Sequence, residues 1–502
     1  MPETPPLSPS GETARLRARV AELVAENARL REAAAARDEL AAAQLAARDA
    51  QLQALAARVE ELERRLGKDS STSSKPPSSD SPYKKKSRGR SLRGRSGRRP
   101  GKQPGAQSPA LKQSGDPGQR VECAPAACGC CGAELGDAAV IGVRKRQVFE
   151  ASPPPPPTVV EYQVQAKVCG RCGAVTEGVA PAHATGRVQY GPLVHAKSAL
   201  AVCAHYLPAG RAAALVASLT GVKVPAGFMA GVRGKAASRL EPFMDRVREL
   251  LRSAGVLYAD ETPARAGGHL RYVQVACTEF LTAMHIGGRS ADDIDAGDVL
   301  PGYAGTIVRD GYAGYQHLSG ALHAWCGAHG LRDLRDLYTF DPGGQVWARF
   351  MADLLIRANA AATAARAVGK ARLDEAALTE INAWYRGAVA KGITDNQHRR
   401  SKAGQDGLRL SRRFRDHQDM ILRFTIDLAV GFTSNQAERD VRPVKVQMRT
   451  SGGCWRTLDG LADFAIVQSC LSTAAKWGID QLDALTQLFT DGPWLPAAIK
   501  PG

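Results

Sequence analysis

Long apolar runs are absent from this sequence. No stretch reaches eighteen apolar residues, although hydrophobic residues make up 44% of its 502 positions. A helix that crosses a bilayer needs about 20 such residues, so we expect neither a membrane span nor a membrane partner. The first residues, MPETPPLSPSGETAR, also lack the basic region and apolar stretch of a secretory signal. These two absences predict a cytoplasmic protein.

Acidic residues are scarce relative to basic ones. The chain has 67 Lys and Arg residues against 50 Asp and Glu residues, a net charge of +17. Such a surplus predicts a polyanionic partner, nucleic acid first. The alternative is basicity that only keeps the protein in solution. A chain of 502 residues is long enough for two to four domains with at least one large core.

Residues 67–120 form a linker with too few apolar residues to build a core. From Lys84 to Lys102 there are ten basic residues and no acid. We expect this block to bind DNA phosphates without reading sequence; the alternative is a solvated run of charge. Its candidate DNA-binding residues are Lys84, Lys85, Lys86, Arg88, Arg90, Arg98 and Arg99.

Residues 13–66 have the heptad spacing of a coiled coil. Leucines recur every seven residues at Leu16, Leu23 and Leu30, and a second run begins at Leu45. The two runs are out of phase, so a stutter near residues 33–44 separates them. The pattern predicts a coiled coil and a homo-oligomer. The alternative is a single helix exposed to solvent.

Eleven cysteines in a protein expected to be cytoplasmic are more typical of thiols or metal ligands than of disulfides. Two Cys-x-x-Cys-Gly motifs stand out, one at Cys128 and Cys131 and the other at Cys169 and Cys172. Four thiolates suit a tetrahedral, structural Zn²⁺. Cys130 or Cys123 could replace one of the ligands.

The segments between these motifs, 143–150 and 158–168, are predicted strands, which makes residues 121–182 a zinc-ribbon DNA-binding domain. Residues 190–253 are helical by pattern, with two helices joined by a short turn that contains Gly221 and Pro225. This pair could be a helix-turn-helix that reads DNA. A plain helical connector is the alternative.

From residue 254 the hydrophobic period changes to two, which is typical of strands. AGVLYADETP predicts a strand ending on Asp260, and GTIVRDGYAGY predicts one ending on Asp310. RYVQVACT and FLTAMHIG predict a hairpin, and GALHAWCGAH a fifth strand. After a helical stretch over 344–426, Glu438 is expected in the first turn of a helix beginning near Ser434 or Asn435.

Asp260, Asp310 and Glu438 are therefore expected to converge at one edge of a mixed sheet. Hard oxygen ligands suit Mg²⁺ or Mn²⁺, and two such ions can support in-line phosphoryl displacement. The Arg-rich flank of Glu438 is expected to bind the phosphates of a polyanionic substrate. Its candidate DNA-binding residues are Arg439, Arg442, Lys445 and Arg449.

Each carboxylate also has a structural alternative. Asp260 could precede a turn at Thr262-Pro263, and Glu261 is its obvious rival. Asp310 could belong to a turn before Gly311. Glu438 could form a capping box with Asn435, in a helix that ends soon after Pro443.

Several motifs together carry a family resemblance. SSKPPSSD, GRRPGKQPGAQ, the paired Cys-x-x-Cys-Gly, YADETP, DGYAGY, WCGAH and NQAERDVRPVK occur in an order similar to that of transposases of the insertion sequence 66 family. The resemblance runs from about residue 70 to residue 480. It implies a multidomain α/β protein whose RNase H-like DDE catalytic domain spans 254–480, with its helical insertion over 344–426 and with the coiled coil and zinc ribbon before it.

The family's three catalytic acids correspond to Asp260, Asp310 and Glu438. The resemblance implies a DNA transposase that binds the inverted-repeat ends of its element and acts on target DNA in the nucleoid, with Mg²⁺ or Mn²⁺ and Zn²⁺ as cofactors. It leaves open whether accessory proteins of the same element take part. The alternatives are an inactive transposase-derived DNA-binding protein and an RNase H-like nuclease without strand transfer.

The sequence departs from the family pattern in two places. The family usually has His-Cys-Trp-Ala-His where this chain has AWCGAH, and it usually has an Arg-Lys-Asn stretch where Arg449 is followed by TSGGCW. These departures put auxiliary DNA contacts in doubt but leave all three acids in place. Cys326 and His329 match a Cys-x-x-His signature seen after the second acid in several such transposases, and we expect them to be a buried structural pair.

Overall fold

A computed structural model describes residues 9–67, 111–151, 153–154, 156–181, 184 and 186–498. The basic block from Lys84 to Lys102 lies outside the described residues. Within the described residues, no helix has both the length and the apolar character that a membrane span requires.

Helix α1, Pro9–Gly67, runs for 59 residues without a break. Its heptad leucines are exposed in the single chain: Leu16 is 63% exposed, and Leu30 and Leu45 are 61% exposed. Long helices depend on packing of an apolar face for most of their stability. The helix is therefore observed, whereas its pairing with a second chain stays a prediction.

Strands β1, Ala166–Val168, and β2, Val175–Glu177, form an antiparallel hairpin that carries Cys169 and Cys172 in its turn. The predicted strand over 143–150 is wrong, since none of these residues is in a strand. Here the Gln147 side chain makes the hydrogen bonds instead. Its Oε1 accepts the Ser114 N–H at 2.7 Å, and its Nε2 donates to the Ser114 carbonyl at 2.8 Å.

The helices expected over 190–253 are present. They are α2, Pro192–Ala199, which continues as a π-helical turn over Leu200–Ala204; α3, Ala209–Thr220; α4, Ala226–Arg239; and α5, Glu241–Arg252. Gly221 ends α3 in the left-handed conformation with a φ of 73°, and Pro225 precedes α4. The short turn is thus observed, and the reading of DNA by these helices stays a prediction.

A five-stranded sheet follows. Its strands are β3, Val256–Ala266; β4, His269–Cys277; β5, Thr282–Gly287; β6, Thr306–Arg309; and β7, Leu322–Trp325. The short helix α6, Ala291–Asp295, and a 3₁₀ turn over Ala313–His317 lie between strands. The strand order is β5-β4-β3-β6-β7. The sheet is mixed, because β3, β4 and β5 pair antiparallel while β6 and β7 are parallel.

Strand β3 is longer than expected. The prediction that it ends on Asp260 is wrong, because the strand continues to Ala266. Its turn to β4 is formed by Gly267 and Gly268, whose φ angles are 56° and 82°. A two-residue hairpin turn with positive φ at both positions favours glycine, so Gly-Gly makes the turn and Thr262-Pro263 stays in the strand.

The remaining elements are helical. They are α7, Gly327–Phe340; α8, Val346–Ala367; α9, Glu375–Asn396; α10, Lys402–Asp416; α11, Gln418–Ile421; α12, Arg423–Ile426; α13, Asn435–Thr450; α14, Leu458–Lys476; and α15, Gln481–Thr490. The helical stretch expected over 344–426 is therefore observed. The alternative in which α13 ends soon after Pro443 is wrong, since the helix includes this proline and continues to Thr450.

One compact unit contains β6, β7 and helices α7–α12. Its core includes Trp347, Tyr385 and Phe414, all at most 1% exposed. Polar side chains in this core satisfy one another: Trp347 Nε1 donates to Gln345 Oε1 at 2.8 Å, and Gln345 Nε2 donates to Asn396 Oδ1 at 2.7 Å. The insertion is therefore a packed body with its own core.

A second compact unit contains strands β3–β5 and, among its helices, α13 and α14. One cluster of buried side chains joins these elements, and it includes Val273, Val275, Met284, Ala437, Val441, Val444, Leu461 and Phe464. Helices α13 and α14 therefore cover one face of the β3–β5 meander.

Candidate active site

Asp260 and Glu261 are neighbours in β3, and successive side chains of a strand point to opposite faces. Asp260 is paired with Val275 of β4, and Glu261 is paired with Gln274. Directly paired residues share a face of the sheet, and Val275 belongs to the core that α13 covers. Asp260 therefore lies on the face covered by α13, and Glu261 lies on the opposite face.

Both carboxylate oxygens of Glu261 are already bound. Oε1 accepts a hydrogen bond from Arg289 at 2.5 Å, and Oε2 accepts one from the Tyr315 hydroxyl at 3.2 Å. The Glu261 side chain is only 7% exposed. Asp260 Oδ1 accepts the N–H of Glu261 at 2.9 Å. Glu261 is thus a buried ion-pair partner, which favours Asp260 as the site carboxylate.

Glu438 is the fourth residue of α13, which begins at Asn435. A capping box places its acid three residues after the N-cap. Ser434 is the residue before the helix and thus its N-cap. The residue three positions after Ser434 is Ala437, not Glu438. The capping alternative for Glu438 therefore does not match the register of the helix.

Glu438 also shares a helix face with residues that point toward β3. Residues three, four and seven apart lie on one side of a helix, which groups Glu438 with Val441 and Lys445. Val441 is in the core beneath α13, and Lys445 Nζ donates to the Pro263 carbonyl in β3 at 2.8 Å. Glu438 therefore lies on the side of α13 that faces the strand of Asp260.

The basic residues of α13 differ in their surroundings. The Lys445 ammonium is directed to Pro263, and burial, together with the charge of Arg449, lowers its pKa. Lys445 therefore ties α13 to β3, and its contact with a DNA phosphate stays a prediction. Arg439, Arg442 and Arg449 are exposed.

Asp440 holds α13 in place, a role that its sequence neighbourhood did not suggest. Its carboxylate accepts hydrogen bonds from Thr282 at 3.0 Å, from Ser472 at 3.0 Å and from Lys476 at 2.7 Å. The Asp440 and Lys476 side chains are only 6% and 9% exposed. A buried ion pair thus joins α13 to the end of α14.

Asp310 directly follows β6 and is held by the residue before it. Arg309 is 3% exposed, and its NH1 donates to the carbonyl oxygens of Asp310 and Tyr312, each at 2.9 Å. Its Nε donates to His323 Nδ1 at 3.0 Å. Asp310 Oδ1 accepts the N–H of Tyr312 at 2.9 Å. A buried guanidinium and an Asx-type turn therefore fix the backbone that carries Asp310.

Gly311 is required by close packing in the same loop. A Cβ at this position would lie 2.4 Å from the Trp325 ring. The sequence DGY therefore reflects the packing of the loop against β7 as well as the turn.

Cys326 and His329 lie close together at the start of α7. Cys326 is fully buried and His329 is half-buried, and the sulfur of Cys326 lies within 4.8 Å of a ring nitrogen of His329. The pair that the sequence suggested at these two positions is therefore observed.

Comparison with known protein families decides the affiliation of the chain. The model of the family described as Transposase IS66 family matches residues 187–462, more than half of the 502 residues. The chain belongs to this family. A second model, described as a family of unknown function (DUF6444), matches residues 5–112. Nothing among curated proteins matches the chain.

The IS66-family match includes β3–β7, the helical insertion and α13. It therefore covers Asp260, Asp310 and Glu438. Membership of a transposase family indicates an enzyme that acts on DNA, and this family typically uses a divalent metal ion.

The two cysteine motifs of the transposase have the same local geometry. The Cys128 N–H donates to the Ala133 carbonyl and the Cys169 N–H to the Ala174 carbonyl, both at 2.8 Å. The glycine that follows each motif has a φ of 72°. Backbone N–H groups inside each turn lower the pKa of the Cys128 and Cys169 thiols. Each motif therefore favours thiolate chemistry.

Among the described residues, the two cysteine pairs do not form a group with mutual ligand distances within 4.8 Å. The expected set of Cys128, Cys131, Cys169 and Cys172 is thus not assembled, and the zinc ribbon is not confirmed. Cys123 and Cys130 are exposed free thiols. The exact ligand set stays a prediction.

Proposed function

We propose that this IS66-family chain is a DNA transposase that binds the ends of its insertion sequence, cleaves phosphodiester bonds there and joins the ends to target DNA. The observation that carries this proposal is the position of Asp260. Asp260 lies on the sheet face covered by the Glu438 helix, whereas its rival Glu261 lies on the other face, bound to Arg289 and Tyr315.

Asp260, Asp310 and Glu438 would hold the divalent metal. Their donor atoms are all carboxylate oxygens, the hard ligands that Mg²⁺ and Mn²⁺ prefer. When bound, such ions activate an attacking oxygen and stabilise the leaving oxygen in phosphoryl transfer. The rigid loop after β6 supports this role, because Arg309 fixes the backbone of Asp310 before any ligand binds.

The exposed arginines of α13 would bind the DNA backbone. Arg439, Arg442 and Arg449 lie on the helix that carries Glu438 and are open to solvent. Arginine can contact a phosphate with two parallel hydrogen bonds. These residues therefore supply positive charge next to an anionic site, as a polyanionic substrate requires.

Regions outside the sheet would add affinity and assembly. We propose that the basic block from Lys84 to Lys102 binds phosphates and that the cysteine motifs hold a structural Zn²⁺. The α3–α4 pair is the candidate reader of DNA sequence. Helix α1 would bring two chains together, since transposition requires two element ends to be held at once.

Cleavage of DNA that carries the element ends, in Mg²⁺, tests the proposal. We expect Asp260→Asn and Asp310→Asn to lose cleavage by orders of magnitude while DNA binding is kept. Glu261→Gln is the matched control, one residue away on the opposite face, and should retain far more activity. Equal losses in Asp260→Asn and Glu261→Gln would contradict the assignment.

The same assay separates transposition from simple nuclease activity. A transposase joins the cleaved ends to a second DNA, whereas an RNase H-like nuclease yields cleaved product only. A protein that binds end DNA and never cleaves it would be an inactive, transposase-derived DNA-binding protein.

A further inference from the structure

Cys326 lies where the helical insertion leaves the sheet. It follows β7 and directly precedes α7. Its N–H donates to the Arg309 carbonyl at 2.8 Å, and Arg309 is the residue before Asp310. The backbone of Cys326 is therefore tied to the strand end that carries the second acid.

The same residue contacts the segment where the insertion returns. Cys326 Sγ accepts the N–H of Ser434 at 3.2 Å across 108 residues of sequence. Next to it, the Gly327 N–H donates to the Phe432 carbonyl at 2.8 Å. The Phe432 ring packs so closely on Gly327 that a Cβ there would lie 2.2 Å from it. We call Cys326, Gly327, His329, Phe432 and Ser434 the clamp.

His329 lies beside the acceptor in this clamp. Cys326 is fully buried, and a ring nitrogen of His329 lies within 4.8 Å of its sulfur. Cys326 directly precedes α7 and His329 is the third residue of that helix, so the Cys-x-x-His spacing places both residues at the N-terminal end of α7.

We infer that Cys326 and His329 are positioning residues of the transposase, which hold Ser434 and so fix the first turn of α13, where Glu438 lies. Ser434 is the residue before α13. The backbone N–H that Cys326 Sγ binds is therefore about one helical turn from Glu438. The inference rests on the proposed catalytic role of Glu438. A misplacement of about 1 Å can cost roughly 10²-fold in rate, so loosening this segment should reduce cleavage.

Four variants separate the effect of the hydrogen bond from the effect of side-chain bulk. Cys326→Ala removes the acceptor for the Ser434 N–H, while Cys326→Ser keeps an atom that can accept it. Ser434→Ala is the matched control: it removes an Oγ that is buried and has no hydrogen-bond partner among the described residues, but it keeps the backbone N–H. His329→Ala leaves the thiol in place and should give a weaker form of the Cys326→Ala effect. It replaces Cys326→Ala in the test if Cys326→Ala folds poorly.

Two measurements report on these variants of the full chain. Amide hydrogen exchange over residues 432–438 should accelerate in Cys326→Ala and stay close to wild type in Cys326→Ser and Ser434→Ala. Cleavage by Cys326→Ala should fall by about 10²-fold and need a higher Mg²⁺ concentration for half-maximal rate, with unchanged affinity for DNA. A merely structural loss would reduce the folded fraction without shifting that concentration.

Each other result overturns the inference in a recognisable way. Unchanged exchange in Cys326→Ala would show that the sulfur does not hold the segment. Faster exchange with an unchanged Mg²⁺ requirement would show that the segment does not position Glu438. Loss of bound zinc in both Cys326→Ser and Cys326→Ala would make Cys326 a metal ligand instead. If Glu438→Gln itself cleaves DNA normally, the proposed function fails, while the exchange data still report on the clamp.

Discussion

The buried ion pair between Asp440 and Lys476 should be a main support of α13, and Lys476→Met tests it. Lys476 Nζ donates to Asp440 Oδ2 and to Thr282 Oγ1 at 2.7 Å, and to the carbonyls of Thr278 and Leu281 at 2.8 and 2.9 Å. Methionine fills a similar volume but leaves the Asp440 carboxylate, 6% exposed, without its cation. Removing one partner of a buried pair costs about 3–5 kcal/mol.

Thermal and urea unfolding of the full chain, followed by circular dichroism, measure this cost. A loss of about 3–5 kcal/mol lowers Tm by roughly 6–20 °C in a domain of about 150–250 residues. The same substitution at Lys391, whose side chain is 57% exposed in its pair with Asp395, is the matched control and should cost under about 0.5 kcal/mol.

A double variant completes the test. Asp440→Leu combined with Lys476→Met removes both charges, so it should recover most of the stability that Lys476→Met loses, because apolar replacements of buried pairs are often neutral. A Lys476→Met protein within about 1 kcal/mol of wild type would refute the reasoning. So would a double variant as unstable as the sum of its two single variants.

Three further predictions concern the regions outside the sheet. The protein should bind about one structural zinc per chain through its cysteine motifs, and Cys169→Ser with Cys172→Ser should lose it; full zinc retention would exclude these ligands. Deletion of residues 1–66 should lower the mass measured by light scattering at micromolar concentration, and an unchanged mass would place association elsewhere. Neutralising the block from Lys84 to Lys102 should flatten the salt dependence of DNA affinity; an unchanged slope would identify a solvated linker.

The sequence predicted those parts of the fold that depend on local pattern. Alternation identified the β4–β5 hairpin, and apolar runs identified β6 and β7. The sequence did not predict the end of β3 correctly, because two segments in and after this strand resemble turns. Thr262-Pro263 is a typical turn dipeptide, but Gly267 and Gly268 alone can adopt positive φ at both positions without strain.

The sequence predicted the acids of the candidate site, but not the residues that hold the surrounding elements in place. Asp310 was expected as the last residue of a strand and directly follows β6 instead. Glu438 was expected in the first turn of a helix and is the fourth residue of α13. The partners of Glu261 and Asp440 are distant in sequence, at Arg289 and Lys476. Such pairs form only when the sheet and helices pack, so no local pattern reveals them.

The partner of the charged Lys445 side chain also could not be predicted from the local sequence. The sequence shows a basic residue one heptad after Glu438, but not that its side chain reaches back to a carbonyl of β3. Side-chain direction in a helix depends on which face is buried. That face is known only once Ala437, Val441 and Val444 are seen in the core.

Glu438→Gln is the most direct test of the central claim. Glutamine keeps the shape and hydrogen-bonding ability of the side chain but removes the charge that helps hold a divalent cation. Cleavage of element-end DNA in Mg²⁺ should fall by orders of magnitude, while DNA binding stays equal or tightens because one negative charge near phosphate is gone. A folded Glu438→Gln protein that cleaves DNA at close to the wild-type rate would contradict the three-carboxylate account.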